Sequence, residues 1–331
     1  MRRRDFVRSV LAGTTLTWPF LASAQQPERM RFIAVLMAYA ESDPAAQAGV
    51  AEFRVGLAKL GWRESNNLRT ELRWGAGNAE KFKAFAKELV GLQPDAILSM
   101  GTVPTRLVVH ETQTIPIVFV SIGDPIASGF VTNLNRPGGN ITGFMLEISG
   151  LGGKQLELLK EIAPDTRHVA LLSNPATSPS LQLFLPSIQA AASSHGVALK
   201  SAPIQLKEEI EGVIAAEASE PGGGLIVAPS AFGSVNRELI IALAAKYSLP
   251  AMYYERNFTD LGGLIAYSPD YFGGFGPAAG YVDRILKGVK PGDLPVQAPT
   301  TFELSINLKT AKALGLTIPP TILAVADKVI E

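Results

Sequence analysis

The 331-residue chain has no cysteine. Disulfides, thiolate nucleophiles and zinc–cysteine sites are therefore excluded. It has only three histidines, His110, His168 and His195. None stands at a metal-ligand spacing such as H-x-x-x-H, and none has neighbours that would complete a catalytic triad. Neither sign of charge is in surplus: Lys plus Arg and Asp plus Glu number 30 each. A nucleic-acid surface needs a basic excess on one face, so composition offers no such partner. A phosphate-binding fingerprint is missing too. Gly222-Gly223-Gly224 precedes a strand, whereas a phosphate loop follows one, and Gly138-Gly139 is no G-x-G-x-x-G. Gly273-Gly274-Phe275-Gly276 reads as loop flexibility, and Glu208-Glu209 as a solvated helix surface. No short-period repeat or low-complexity tract is present. What remains is a chain that is 47% hydrophobic, enough for two ordinary domains, with no cofactor signature and no enzyme constellation.

Residues 1–24 read as a targeting segment, to be set aside before any fold reasoning. Arg2-Arg3-Arg4 is a basic start, and Val10 to Phe20 a moderately apolar stretch broken by Gly13 and Pro19. Ala22-Ser23-Ala24 is a small-residue cleavage site that would leave Gln25 as the new N-terminus. The stretch is too short to span a bilayer. Arg3-Arg4-Asp5-Phe6-Val7 also fits a twin-arginine export signal, with an ordinary secretory signal as the other reading. With no cysteine after the apolar stretch, no lipid anchor is expected there. The expected location is the periplasm.

The rest alternates between strand and helix. Strands are expected at Arg31–Ala38, Leu68–Trp74, Pro94–Met100 and Pro116–Val120, with helices at Ala46–Leu60, Glu80–Leu92 and Val103–Gln113. The run Pro116-Ile117-Val118-Phe119-Val120 is apolar and β-branched, as in a strand buried on both faces of a parallel sheet. Pro137-Gly138-Gly139-Asn140 marks a turn, and Ile141–Phe144 resumes a strand. The alternation restarts after Gly150 and runs to Tyr267, which predicts a second α/β lobe. A helix near Tyr281 is expected to return to the first lobe, Pro291–Pro299 to act as an extended linker, and the tail to join the second lobe with a final helix through Ile330. The expected lobes are 30–146 plus about 268–292, and 147–267 plus about 300–331, with three crossings between them.

The strand ends carry the polar residues: Gly101-Thr102, Ser121-Ile122-Gly123-Asp124, Ser173-Asn174, Ser230 and Glu255-Arg256. In open α/β sheets, ligands sit beyond the carboxyl ends of the strands. Several of these ends lead into helices, whose free N–H groups and dipole favour an anion such as a carboxylate. Asp124 or Glu255 suits an ammonium group. Tyr39, Tyr253, Tyr254 and Tyr267 fall near the same rim and suit an aromatic or apolar ligand body. Each residue also has a plainer reading. Asp124 starts a turn before Pro125, and Ser, Thr and Asn cap helices, Thr102 among them.

Four stretches then resemble a known family. They are IPIVFVSIGDPIASGFVTNLNRPGGNITGF (115–144), GGKQLELLKEIAP (152–164), YVDRILKGVKPGDLPVQAPTTFELSINLKTAKALGLTIP (281–319) and ADKVIE (326–331). They resemble the solute-binding proteins of ABC transporters, in the family whose members bind tryptophan and related aromatic amino acids. The resemblance implies an α/β, type I periplasmic-binding fold: two Rossmann-like lobes with parallel sheets, joined by a three-segment hinge. It implies a small-molecule ligand held between the lobes, such as an amino acid or an aromatic or apolar carboxylate. It also implies an inner-membrane permease with its cytoplasmic ATPase as partners, a monomer, and no cofactor. By position the ligand contacts map to Thr102, Ser121, Asp124, Asn174, Ser230 and Tyr253, with Tyr267 in a flap. The glycine-rich 268–282 departs from the family's more regular, charged helix start. Three other readings are weighed: a sensor subunit for a membrane receptor, an exported α/β enzyme, and a repressor's effector core, whose DNA-binding helices would need the place that the targeting segment takes.

Overall fold

The computed structural model describes residues 29–146, 148–178, 180–299 and 301–331. The targeting segment at residues 1–24 lies outside them. In the first lobe, β1 (Arg31–Met37), β2 (Leu68–Trp74), β3 (Ala96–Met100), β4 (Ile117–Ile122) and β5 (Ile141–Met145) form a parallel sheet in the order β2-β1-β3-β4-β5. Helices α1 (Pro44–Lys59), α2 (Ala79–Gly91) and α3 (Thr102–Glu111) cover it. The apolar runs of β1 and β4 have a simple cause. Ile33, Val35 and Met37 pack on the α1 side, while Ala34 and Leu36 pack on the α2 side, so neither face can be polar.

The second lobe begins with α4 (Leu151–Ile162), β6 (His168–Ser173), α5 (Leu181–Ser194), β7 (Ala198–Pro203) and α6 (Ile210–Ala218). It continues through β8 (Gly223–Val227), α7 (Ala231–Val235), α8 (Arg237–Lys246), β9 (Ala251–Tyr253), α9 (Arg256–Asp260) and β10 (Ile265–Pro269). The chain then forms α10 (Phe275–Leu286) before β11 (Phe302–Asn307), α11 (Leu308–Ala313), α12 (Pro320–Leu323) and β12 (Lys328–Ile330). The second sheet runs β12-β11-β10-β9-β8-β6-β7, with β11 antiparallel to β10 and the other pairs parallel. The end of the chain differs from the sequence expectation. In place of one helix through Ile330, α12 stops at Leu323 and Lys328–Ile330 pairs with Ser305–Asn307 of β11. The tail is short and half-exposed, so its apolar spacing also suits an edge strand, and the free edge of β11 decides the matter.

Three passages join the sheets: β5 to α4, β10 to α10, and α10 to β11. Helix α10 lies on the first sheet, where Phe275, Ala278, Ala279 and Val282 join the core beside α1. The passages are tied to one another. Met145 N–H donates to Gln297 O at 2.8 Å, Gln297 N–H donates to Gly143 O at 2.9 Å, and Thr142 Oγ1 donates to Leu294 O at 2.6 Å. The Ser121 hydroxyl donates to the carbonyl of Tyr271. A crevice of about 600 Å³ opens among them, bordered by Ser121, Phe144, Asp270, Tyr281 and Gln297. Among the described residues, no helix is long and apolar enough to cross a membrane.

Candidate functional site

The carboxyl ends of the two sheets face each other across a cavity of about 80 Å³. The first lobe supplies Ala38-Tyr39 after β1, Met100 to Pro104 at the β3–α3 turn, and Ser121 and Gly123 from β4. The second supplies Thr177, Ser180, Pro229-Ser230 after β8 and Tyr254-Glu255 after β9. Leu146, Ile148 and Tyr271 enter from the passages. The walls are thus mostly aromatic and aliphatic, with a few polar groups, as in a small-molecule site.

The lobes touch. Tyr39 donates its hydroxyl hydrogen to Glu255 Oε1, and Ser234 Oγ reaches the same oxygen at 3.0 Å. Tyr254 OH donates to Ser230 O at 2.6 Å and lies 2.7 Å from Ser234 Oγ. Nearby, Asp43 of the first lobe pairs with Arg237 of the second. Asp43 also caps α1, its Oδ1 accepting from Ala46 N–H at 2.9 Å.

Glu255 is 3% exposed. Burial pushes its carboxyl up to about 7, against the downward pull of the Tyr39, Asn257 and Ser234 hydrogen bonds, and Asp43 adds a further upward push. Burial likewise drives the Tyr39, Tyr254 and Tyr271 hydroxyls well above their ordinary range, with the Glu255 charge contributing to each.

Helix α3 opens toward the cavity. Its N-cap is Gly101, at φ 90° and ψ 154°, and no side chain caps it. A side chain at Gly101 would be strained in that conformation. Thr102, expected as the cap, is instead the first helical residue. Pro104 has no N–H to satisfy, so the Thr102 and Val103 N–H groups are the free donors of this end.

Thr102, Ser121 and Ser230 come together on the cavity wall. Ser121 holds a left-handed backbone at φ 59° where the β4–β5 register slips, a strain found at binding sites more than in plain strands. The Ser230 hydroxyl caps α7, accepting from Gly233 N–H at 2.9 Å. The other four sequence candidates lie off the wall. Asp124 Oδ1 accepts from Ile126 N–H at 2.8 Å and Ala127 N–H at 2.9 Å, which is turn chemistry. Asn174 donates through Nδ2 to Ile204 O at 3.0 Å and accepts at Oδ1 from Thr177. Tyr253 is buried and stacked on Phe258, 4.7 Å between ring centres. Tyr267 stacks on Phe302 at 5.6 Å.

Sequence reasoning set Tyr39 and Glu255 at the rim without joining them, and passed over Tyr271, Thr177 and Ser180. The strand period held the signal for Tyr254. Tyr253 is the last residue of β9 and points into the core beside Ala251, so its neighbour Tyr254 falls at the cavity. The histidines are structural or exposed. His168 opens β6, with Nδ1 2.5 Å from Glu217 Oε1. His110 is exposed, and His195 ends α5.

Comparison with known proteins agrees with this architecture. A curated tyrosine-binding protein of Clostridioides difficile (strain R20291) is 23% identical over 279 residues, 82% of this chain and 78% of the relative. A conserved domain protein of Vibrio cholerae superposes with a TM-score of 0.83 at 27% identity, covering 91% of this chain and 100% of the other. An ABC domain from Streptococcus pneumoniae in complex with L-Trp gives 0.82 at 24% identity, with 91% and 99% covered. The fold is accordingly the type I periplasmic-binding fold, with two lobes around a shared cleft. The model of the ABC transporter substrate binding protein family matches residues 33–330, and the chain belongs to that family.

Proposed function

We propose that this protein is the periplasmic receptor of an importer. It captures an amino acid or an aromatic or apolar carboxylate between its lobes and offers the closed form to an inner-membrane permease driven by a cytoplasmic ATPase. The observation that carries this reading is the cavity itself, walled by the strand ends of both lobes. A ligand there touches both halves at once, so its binding energy depends on closure and shifts the open–closed balance.

The polarity of the walls favours a small amphipathic ligand. Tyr39, Tyr254 and Tyr271 flank space suited to a flat apolar body. The free N–H groups at the start of α3 suit a carboxylate, a contact supplying about 0.3–2 kcal/mol. The names of two relatives, one tyrosine-binding and one in complex with L-Trp, support an aromatic amino acid.

The test is a thermal-shift panel of L-tyrosine, L-tryptophan, L-phenylalanine, L-leucine and aromatic acids. At a concentration 100 times Kd, a true ligand stabilises the folded protein by about 2.7 kcal/mol. A panel in which no aromatic or branched compound moves the midpoint would remove this reading.

A further inference from the structure

The crevice at the three passages is a second space, beside the cleft but not part of it. Its volume of about 600 Å³ is ordinary for a small-molecule site. Its walls are the passages themselves: Phe144 at the end of β5, Asp270 between β10 and α10, and Pro295 and Gln297 before β11. Helix α10 turns Tyr281 and Arg284 toward it, three residues apart and so on one helical face. The Phe144 and Tyr281 rings lie 4.9 Å apart between centres and form an apolar floor. The polar atoms of that floor are satisfied: Tyr281 OH donates to Pro295 O at 2.6 Å, and Gln297 Nε2 donates to Tyr281 OH at 3.1 Å.

Arg284 is the exception. Its guanidinium has no hydrogen bond or ion pair among the described residues, and it is the one cation among those lining the crevice. The acid beside it in the chain, Asp283, is taken by Trp62 Nε1 at 2.9 Å and Lys287 Nζ at 2.7 Å. The one acid of the crevice, Asp270, stands at the far end by Gly273, where Oδ1 accepts from Phe272 N–H at 2.8 Å. Roughly 15 Å of helical rise separates Gly274 from Arg284, more than the screening length of about 8 Å at physiological ionic strength. An anion placed at Arg284 therefore meets a positive charge that nothing nearby cancels.

We propose that this crevice is a second binding site, for an aromatic carboxylate whose ring lies on Phe144 and Tyr281 and whose carboxylate pairs with the Arg284 fork. Ser121 and Leu146 form the partition, lining the crevice on one side and the cavity on the other. Parting the lobes turns the passages against one another and changes the crevice. A molecule fitted to it as it stands favours the lobes in contact, by as much as its affinity differs between the two forms. That effect rests on the receptor reading above; the site itself does not.

The experiment is a fluorine NMR titration of the protein with 4-fluorobenzoate, alone and with excess L-tryptophan. Binding is expected with Kd about 1 mM or tighter. Arg284→Ala is expected to weaken it about 3–10-fold and Arg284→Lys less, since a lysine keeps the charge and loses the fork. Arg284 is exposed, so both variants should fold. L-tryptophan should leave the benzoate bound and tighten it, and calorimetry of L-tryptophan with and without the benzoate should return the same factor. Unchanged affinity in Arg284→Ala, displacement of the benzoate by L-tryptophan, or no binding at about 5 mM would overturn the site. Binding through Arg284 with no mutual effect would overturn the link to closure. If L-tryptophan itself does not bind, the reading of the cleft as a tryptophan site falls, while a loss in Arg284→Ala still upholds the crevice.

Discussion

Asp124 and Glu255 both follow strand ends, but the chain treats their carboxylates in opposite ways. Asp124 Oδ1 takes two backbone N–H groups of its own turn. Glu255 is buried and takes the Tyr39 hydroxyl of the other lobe. Asp124→Ala is therefore expected to cost about 0.5–2 kcal/mol of stability, the usual loss of a capping carboxylate. Ligand affinity should change less than threefold, roughly within 0.7 kcal/mol. Denaturant melts and calorimetry on the same sample separate the two effects. The difference was not legible beforehand. Both residues are acids beyond apolar strands, and only the loop path decides which finds local donors. Asn174 was ambiguous for the same reason, since its amide is used by Ile204 and Thr177. Thr102, Ser121 and Ser230 were legible because parallel strands end on one side of a sheet, and these end residues fall at the cavity.

At the level of elements, two features invite direct tests. Asp43 serves α1 with one oxygen and Arg237 with the other. Asp43→Asn keeps an oxygen for the cap and loses the charge, while Asp43→Ala loses both. The cap contributes about 1 kcal/mol, so the alanine variant should melt lower than the asparagine variant by roughly that amount. Both variants leave Arg237 without its partner and should populate the open form more, an effect read by small-angle scattering. The second feature is Gly143 in β5, where an added Cβ would run into the Phe119 carbonyl of β4. Backbone cannot yield as a side chain can. Gly143→Ala is expected to destabilise by about 3 kcal/mol or more, seen as a lowered denaturation midpoint. Elements of this kind were well announced in the sequence: both-face burial gave long apolar runs in β1, β3 and β4, and periodicity marked α1, α2 and α10. The antiparallel pairing of β11 and the strand β12 were not, because a short edge strand is specified by the free edge beside it more than by its own residues.

On the proposed reading, closure of the whole molecule is coupled to protonation of Glu255. With the lobes in contact Glu255 is buried and its carboxyl is pushed up to about 7, and on the proposed reading opening lets water reach it and returns it toward its ordinary 4.5. The groups facing it are Tyr39 and Asp43 on one side, and Ser234, Tyr254, Asn257 and Tyr271 on the other. The tyrosines stay neutral because burial drives their hydroxyls upward. The closed state therefore binds more protons between 4.5 and about 7. Its advantage from this group is full below 4.5 and is lost as pH rises through about 7, a difference on the order of 3 kcal/mol. The ligand-free protein should accordingly be more closed at about pH 5 than at about pH 8, and Glu255→Gln should flatten the dependence.

The absence of native cysteine allows the central claim to be tested directly. Lys83 on α2 and Lys207 before α6 are exposed, one on each lobe, and both can be replaced by cysteine for a donor–acceptor dye pair. Single-molecule energy transfer then reports the opening between lobes. With L-tyrosine or L-tryptophan added, a single closed population is predicted, saturating at the same concentration as the calorimetric titration. A distance distribution unmoved by a ligand that calorimetry shows to be bound would contradict capture between closing lobes.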